Sequence, residues 1–454
     1  MAKSRLVVIG GDAAGMSAAS VVRRRRPDMD VVVFEKGAFT SYAACGIPYY
    51  AGGQVADSAM LIARSPEEFR KAGIDVRMRT EVLAIDLVAR RVRFRLPDEA
   101  GESSEPFDQL LIATGARPIV PPIPGVEATG VHSISGLQSG LDLRRELDAH
   151  GQGAAVVVGG GYIGIEMAEA LRMRGCPVTL VEQASQVLLT LDADMASGVA
   201  DRLVAKGVTL HLGEALTSIQ TDASGRVQAV VTEGRTIPAG LVVLAIGIRP
   251  NTLLARDAGI TLGERGAIHV DDRMQTSEQG IWAAGDCAES WHRVSERPTW
   301  VALGTVANKH GRVAGLGIAG GEARFPGVVG TAITSFYDLE VSRTGLSERE
   351  CEASNIPCTS VTVDARTRAH YYPGQTPMRV KMLAAPDTGR LLGAQITGGP
   401  GAGKRIDVMA TALHTQQSVS DLLDLDLAYA PPFSPVWDPV QTAARVLIGK
   451  LGRE

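Results

Sequence analysis

One local pattern occurs twice in this chain: an apolar strand, a glycine-rich loop, a helix, and then a second strand that ends in glutamate. The first copy runs Leu6-Val7-Val8-Ile9, Gly10-Gly11-Asp12-Ala13-Ala14-Gly15, then Val31-Val32-Val33-Phe34 closed by Glu35 and Lys36. The second runs Ala155-Val156-Val157-Val158, then Gly159-Gly160-Gly161-Tyr162-Ile163-Gly164, with Glu182 in the closing position. Glycines let a phosphate approach the backbone at a helix N-terminus, and the terminal carboxylate can hold a ribose diol. Two copies therefore imply two dinucleotides. The expected contacts are Gly10, Gly11, Ala14, Gly15, Glu35 and Lys36 in the first copy, and Gly159, Gly161, Ile163, Gly164 and Glu182 in the second. The copies differ at the middle position, where the first has Asp12. A carboxylate would repel a pyrophosphate, so Asp12 is expected to turn away. Glycine-rich turns also serve plain strand-helix packing, so the first copy alone is the weaker sign.

A length of 454 residues suggests roughly three domains, and a hydrophobic content of 45% is ample for several buried cores. The net charge of −4 gives no electrostatic case for nucleic acid. The dense basic run Arg23-Arg24-Arg25-Arg26 ends the first predicted helix, where cations complement the helix dipole. The N-terminus enters a strand directly and no apolar run is long enough to span a membrane, so a cytoplasmic enzyme is expected. The five cysteines, at 45, 176, 287, 351 and 358, form no Cys-x-x-Cys pair and suggest neither a disulfide framework nor a metal site. Cys176, Cys351 and Cys358 read as ordinary structural thiols, and Cys287 as a small residue in a buried turn. Cys45 differs: Gly46 and Pro48 flank it, and its segment follows the Glu35 strand, beside the first nucleotide.

Farther along, the apolar strand Leu110-Leu111-Ile112 runs into Ala113-Thr114-Gly115-Ala116-Arg117-Pro118, and the segment 241–250, which contains Gly247, repeats the pattern. Ile281-Trp282-Ala283-Ala284-Gly285-Asp286 then sets an acid after a strand and a glycine, suited to hydrogen-bonding a ribityl chain or a diphosphate end. A helix N-cap is the other role open to Asp286.

With these motifs in this order, the chain resembles the pyridine nucleotide-disulfide oxidoreductase family, and within it the single-cysteine branch that contains coenzyme A disulfide reductases. The resemblance implies an α/β fold with two Rossmann-like dinucleotide-binding domains, one for FAD and one for NAD, plus a C-terminal α+β dimerisation domain. FAD would take residues 1–118 and 250–325, with Gly285 and Asp286 at its site. The nicotinamide nucleotide would take 119–249, and residues 326–454 would make a homodimer. In that last part Leu391–Ile396 reads as a strand and Lys404–Thr415 as a helix.

Dithiol members of the family carry Cys-x-x-x-x-Cys, whereas here Tyr50 stands five residues after Cys45 and Thr40 five before. Cys45 would then alternate between a thiolate and an adduct, either a sulfenic acid or a mixed disulfide with a small thiol. Peroxidase and oxidase relatives place a histidine in the first loop where this chain has Ala13, which favours a thiol substrate, as does Pro48-Tyr49-Tyr50 after the cysteine. Seven of the eight tyrosines lie in implicated segments: Tyr42, Tyr49, Tyr50, Tyr162, Tyr371, Tyr372 and Tyr429. By resemblance, His370-Tyr371-Tyr372-Pro373-Gly374 and Tyr429-Ala430-Pro431-Pro432-Phe433 reach from one subunit into the other's site. Tyr372 and Tyr429 would there stabilise the Cys45 thiolate and protonate the departing thiol, with Tyr371 beside the substrate. Ser17, Arg24, Ser41 and Lys71 would hold coenzyme A, while Ala44 and Trp437 depart from the pattern of some relatives. Tyr162 would gate the nicotinamide and Glu166 would order the flavin site. A thiol near the usual pKa of about 8.5 is only slightly ionised at neutral pH, so the flavin and the tyrosines would have to favour the anion. Glu182 without a neighbouring cation argues for NADH, with NADPH possible. The competing readings are an NADH-dependent persulfide or polysulfide reductase, an NADH oxidase, and a flavoprotein electron shuttle or redox sensor.

Overall fold

A computed structural model describes residues 3–96 and 101–453, with the side chains of His150 and Glu264 also outside the description. The β-branched runs of the N-terminal part form a parallel sheet in the order Ile281–Ala283, Gln109–Ile112, Arg5–Ile9, Asp30–Phe34, Asp75–Arg77. Its central strand is buried on both faces, as an apolar run without alternation requires. The helix Ala13–Arg25 lies on this sheet and packs against the helix Gly304–Ile318. That approach depends on small residues: a Cβ at Gly311 would lie 2.2 Å from the Ala14 carbonyl oxygen, and one at Gly315 2.8 Å from that of Ala18. Residues from beyond 280 thus complete a layer begun by the first residues of the chain.

A second parallel sheet repeats the design with Val208–Leu212, Val178–Glu182, Ala155–Val158, Leu241–Leu244 and Val131–Ser133, in that order. Each parallel sheet is accompanied by a three-stranded antiparallel one, Glu81–Asp86, Arg91–Arg95, Glu102–Pro106 in the first case and Leu216–Thr221, Val227–Thr232, Thr236–Pro238 in the second. Antiparallel pairing of Ala116–Pro118 with Ile248–Pro250 brings the two crossing points of the chain together.

The C-terminal part is an antiparallel sheet ordered Ala332–Phe336, Leu339–Gly345, Leu391–Gly398, Pro377–Ala384, Thr359–Arg366, with helices Ile406–His414 and Pro439–Lys450 packed on it. The expected strand at Leu391 runs two residues longer than anticipated, to Gly398. The expected helix from Lys404 begins at Ile406, because Gly403–Arg405 forms a tighter 3₁₀ turn whose Gly403 N–H bonds Glu340. An ion cluster around buried Lys381 joins this sheet to the part built on the second parallel sheet: Lys381 Nζ lies 3.3, 2.8 and 2.9 Å from Asp192, Asp194 and Glu348. Burial works against the Lys381 charge, yet the hydrogen bonds to Asp194 and Glu348 outweigh it and raise the pKa. Among the described residues no helix is long and apolar enough to cross a membrane.

Candidate active site

Both glycine loops are shaped by contacts that exclude a side chain. Gly10 has φ +107°, and a Cβ there would lie 2.1 Å from the Ala113 carbonyl oxygen; one at Gly15 would lie 2.0 Å from that of Gly10. The second loop repeats this at Gly159 (φ +108°, 2.3 Å from the Ala245 oxygen) and Gly164 (1.9 Å from the Gly159 oxygen). Gly161 is different: a Cβ there would meet nothing within 4 Å, so its smallness serves space in front of the loop. At the corresponding place Asp12 turns its Oδ1 to the Tyr42 N–H at 3.2 Å, toward the Cys45 segment. Burial, with Glu35 and Asp286 nearby, pushes the Asp12 pKa up to about 6 although the Tyr42 bond opposes it.

The two glutamates brace the loops. Glu35 accepts from the N–H groups of Gly11 at 2.7 Å and Gly37 at 2.5 Å, and Glu182 from Gly160 at 2.6 Å and Ala184 at 2.8 Å. Gly11 and Gly160 lie directly against these carboxylates. Ala14 is buried at the start of the first helix beside Gly285. Ile163 packs against the apolar cluster beside the second parallel sheet. Lys36, next to Glu35, pairs with Glu81 at 2.7 Å on an exposed surface.

Thr114 donates from Oγ1 to the Asn251 carbonyl at 2.6 Å, and Asn251 N–H donates to Gly115 at 2.9 Å, locking Ala113-Thr114-Gly115 to the strand pair beyond Gly247. Asn251 escaped the sequence reading because its partner is 137 positions away. The Oδ1 of Asp286 is buried with no hydrogen-bond partner among the described residues, and burial raises the Asp286 pKa to about 6. Behind it, buried His310 accepts from Gly285 N–H at 3.4 Å and its other nitrogen faces Ser290 Oγ at 3.2 Å. Burial holds His310 down at about 4, so it is neutral, with Nδ1 accepting and Nε2 donating. A glycine cradle at a helix N-terminus and a buried carboxylate oxygen without a partner fit FAD, which Gly10, Gly15 and Asp286 would hold.

That segment begins at Ser41, which has φ +51°, and is pinned by Ala43 N–H to Leu61 and Ala63 N–H to Ser41. The turn Ala44–Gly46 then feeds the helix Ile47–Gly52, and a Cβ at Gly46 would lie 2.3 Å from Leu61 Cδ2. Cys45 is exposed, whereas Cys176, Cys287 and Cys351 are buried and Cys358 is half-buried. Crowding around its sulfur, followed by the carboxylates of Glu166 and Asp286, raises the Cys45 pKa. The thiolate therefore gains no stabilisation from these neighbours in its own chain.

Three parts of the fold meet beside it. Thr334 Oγ1 donates to Glu166 Oε1 at 2.7 Å, and the next residue, Ser335, bonds the Tyr49 hydroxyl. Burial pushes Glu166 upward against the Thr334 bond, and Glu169 adds to the rise. Tyr162 accepts from Thr190 Oγ1 at 3.2 Å, while Arg343 holds the Thr190 carbonyl at 2.7 Å. Thr334, Ser335 and Thr190 carry no motif that would single them out in a sequence.

The remaining expected residues are spread over the surface. Ser17 Oγ donates to Asn308 at 2.8 Å. Arg24 and Lys71 are exposed on the ends of the helices Ala13–Arg25 and Pro66–Lys71, which Arg23 links by donating to the Ala72 carbonyl at 3.3 Å. Tyr371 and Tyr429 are exposed and share a hydroxyl–hydroxyl hydrogen bond, and Tyr372 is half-buried nearby. Among the described residues no hydrogen bond or ring contact joins Tyr372 or Tyr429 to Cys45 of the same chain.

Comparison with known proteins agrees with this architecture. Residues 4–311 match the pyridine nucleotide-disulphide oxidoreductase family, and residues 331–439 match the dimerisation domain of that family. A relative from Pyrococcus horikoshii, named NAD(P)H coenzyme A polysulfide/persulfide reductase, is 42% identical over 98% of both chains. The solved NAD-dependent persulfide reductase from A. fulgidus superposes with a TM-score of 0.94 at 40% identity, covering 98% of this chain and 83% of that one. Reduced CoADR-RHD from Bacillus anthracis superposes with a TM-score of 0.95 at 35% identity, covering all of this chain and 81% of the other. The larger N-terminal part and the C-terminal part of the chain thus match the two parts of one family in order, and the chain belongs to the pyridine nucleotide-disulphide oxidoreductases, as an FAD- and NAD(P)H-dependent oxidoreductase.

Proposed function

We propose that this chain reduces the sulfur–sulfur bond of a coenzyme A-linked substrate, a disulfide or a persulfide, through Cys45 in a homodimer, with NADH as the preferred donor. The observation that carries the reading is a single exposed thiol with four other cysteines held elsewhere, near the buried Asp286 carboxylate, whose Oδ1 has no partner among the described residues. Attack of the Cys45 thiolate on coenzyme A disulfide forms a Cys45–coenzyme A mixed disulfide and releases one coenzyme A thiol. With the persulfide, the same mixed disulfide forms and hydrosulfide leaves. The donor's hydride equivalent then cleaves the mixed disulfide, returning the Cys45 thiolate and a coenzyme A thiol, the second from the disulfide and the single one from the persulfide. FAD, when bound, carries those two electrons from nicotinamide to sulfur. Gly10, Gly15 and Asp286 hold it, Ala113 to Gly115 and Gly247 shape its surroundings, and Glu182 accepts from the nicotinamide nucleotide's ribose. Tyr162 screens the nicotinamide position until the donor enters. Tyr372 and Tyr429 of the second subunit deliver the proton to the leaving thiol, and Ser17, Arg24, Ser41, Lys71 and Tyr371 hold coenzyme A. The persulfide reading draws support from the names of the relatives at 42% and 40% identity.

The deciding experiment is anaerobic NADH oxidation by the flavin-loaded enzyme with coenzyme A disulfide, coenzyme A persulfide and cystine in turn. A kcat/KM at least about tenfold higher for either coenzyme A compound than for cystine is expected. Equal rates with all three, or turnover only when oxygen is admitted, would remove the reading.

Because burial, followed by the carboxylates of Glu166 and Asp286, raises the Cys45 pKa, substrate turnover should climb with pH through the alkaline range as the thiolate forms. Glu166→Gln removes that negative charge, so the acid limb of the kcat/KM profile should move to lower pH. An unmoved limb would separate Glu166 from the thiol. For the donor, Glu182→Arg should cut the ratio of kcat/KM for NADH over NADPH by about tenfold or more, the effect of ~1.4 kcal/mol. Parallel kinetics with both donors, before and after substitution, would refute the role of Glu182.

A further inference from the structure

Tyr372 and Tyr429, assigned to thiol release, and Tyr371, assigned to the substrate, sit in irregular segments outside any helix or strand, with Tyr371 and Tyr429 exposed. Loops of this kind do not hold aromatic hydroxyls in place unless something ties them. The tie is Arg405, whose side chain is 13% exposed. Its Nη2 donates to the carbonyls of Thr367, at 3.0 Å, and Phe433; its Nη1 donates to Gly401; and its Nε donates to Asp438 Oδ2 at 3.1 Å. Thr367 opens the segment that carries Tyr371 and Tyr372, and Phe433 closes the one that carries Tyr429. The two segments meet directly where Ala369 N–H donates to the Pro431 carbonyl at 3.2 Å. Asp438 is fixed in turn, accepting from Ser434 Oγ at 3.0 Å and capping the helix Pro439–Lys450 through Val440 N–H at 2.9 Å.

We infer that Arg405 is a positioning residue that sets Tyr371, Tyr372 and Tyr429 as one unit facing the coenzyme A-linked substrate, an inference that rests on the function proposed above. Only a guanidinium has enough donors in one plane to reach two loops, a turn and a carboxylate together; a lysine ammonium carries the charge but cannot span them. Loosening the unit should weaken substrate binding and proton delivery while leaving transfer from NADH to a small outer-sphere acceptor alone.

The test uses the full-length, flavin-loaded enzyme with Arg405→Lys, read against coenzyme A disulfide and, separately, ferricyanide. The KM for coenzyme A disulfide should rise about tenfold. Turnover with ferricyanide and the elution volume should stay as in the parent. In addition, Tyr372→Phe should lose most of its effect in the Arg405→Lys background, because a displaced hydroxyl has little left to lose. If Arg405→Lys does not fold, Asp438→Asn frees the guanidinium while keeping a residue that caps helices well, and the same readings apply. An unchanged KM, or effects of Arg405→Lys and Tyr372→Phe that simply add, overturns the inference while the proposed function stands. If Tyr372→Phe and Tyr429→Phe are each silent in the parent enzyme, the role of the tyrosines falls and this inference falls with it.

Discussion

Cys45→Ser is expected to lower turnover with coenzyme A disulfide or persulfide by about 10³-fold or more, the scale seen when a covalent nucleophile is removed. Serine keeps the shape of the turn Ala44–Gly46 but has no sulfur with which to form a mixed disulfide. Reduction of ferricyanide by NADH should persist, since Asp286, the glycine loops and Glu182 are untouched. The buried or half-buried positions of the other cysteines leave none to substitute for Cys45. Full activity in the variant, on either coenzyme A compound, would instead favour an electron shuttle that never uses the thiol. Steady-state assays with both acceptors, run on the same preparation, make the comparison.

The second large effect concerns the nucleotide loops, where the two middle positions behave differently from the outer ones. Gly10→Ala places a Cβ 2.1 Å from the Ala113 carbonyl oxygen at a φ of +107°, so the loop must move. Overpacking and backbone strain together cost about 2–5 kcal/mol. The variant should purify with little flavin, visible as loss of the absorbance near the flavin band relative to protein. Gly161→Ala meets nothing within 4 Å, so it should fold and bind flavin normally while raising the KM for NADH. Full flavin occupancy in Gly10→Ala, or an unaltered KM in Gly161→Ala, would separate these glycines from nucleotide binding.

What could be read from the chain before its structure was local. A glycine loop after an apolar strand, an acid after Gly285, and a thiol between glycine-rich segments are patterns within a few residues, so their chemistry follows from spacing. The long-range ties around them could not be read that way. Glu166 meets Thr334 across 168 positions and Thr114 meets Asn251 across 137, and neither partner belongs to a recognisable motif. His310 is an ordinary helical residue until Gly285 and Ser290 fold against it. Asp12 shows the same limit from the other side. Electrostatics predicted that it would turn from the loop, but its partner, the Tyr42 N–H three residues before Cys45, emerged only from the fold. The ion pair of Lys36 with Glu81, 45 positions away, also emerged only from the fold. Arg405 was passed over as the second residue of an expected helix, whereas the tight turn at Gly403–Arg405 points its guanidinium between two loops.

The central claim is that Cys45 carries coenzyme A during the reaction, and intact-protein mass spectrometry followed by peptide mapping tests it most directly. The flavin-loaded enzyme is treated anaerobically with coenzyme A disulfide, sampled, and then given NADH. The account predicts one coenzyme A adduct per chain, mapped to Cys45 and discharged by NADH. An adduct on another cysteine, or an unmodified Cys45 in an enzyme that still turns over the disulfide, would contradict it.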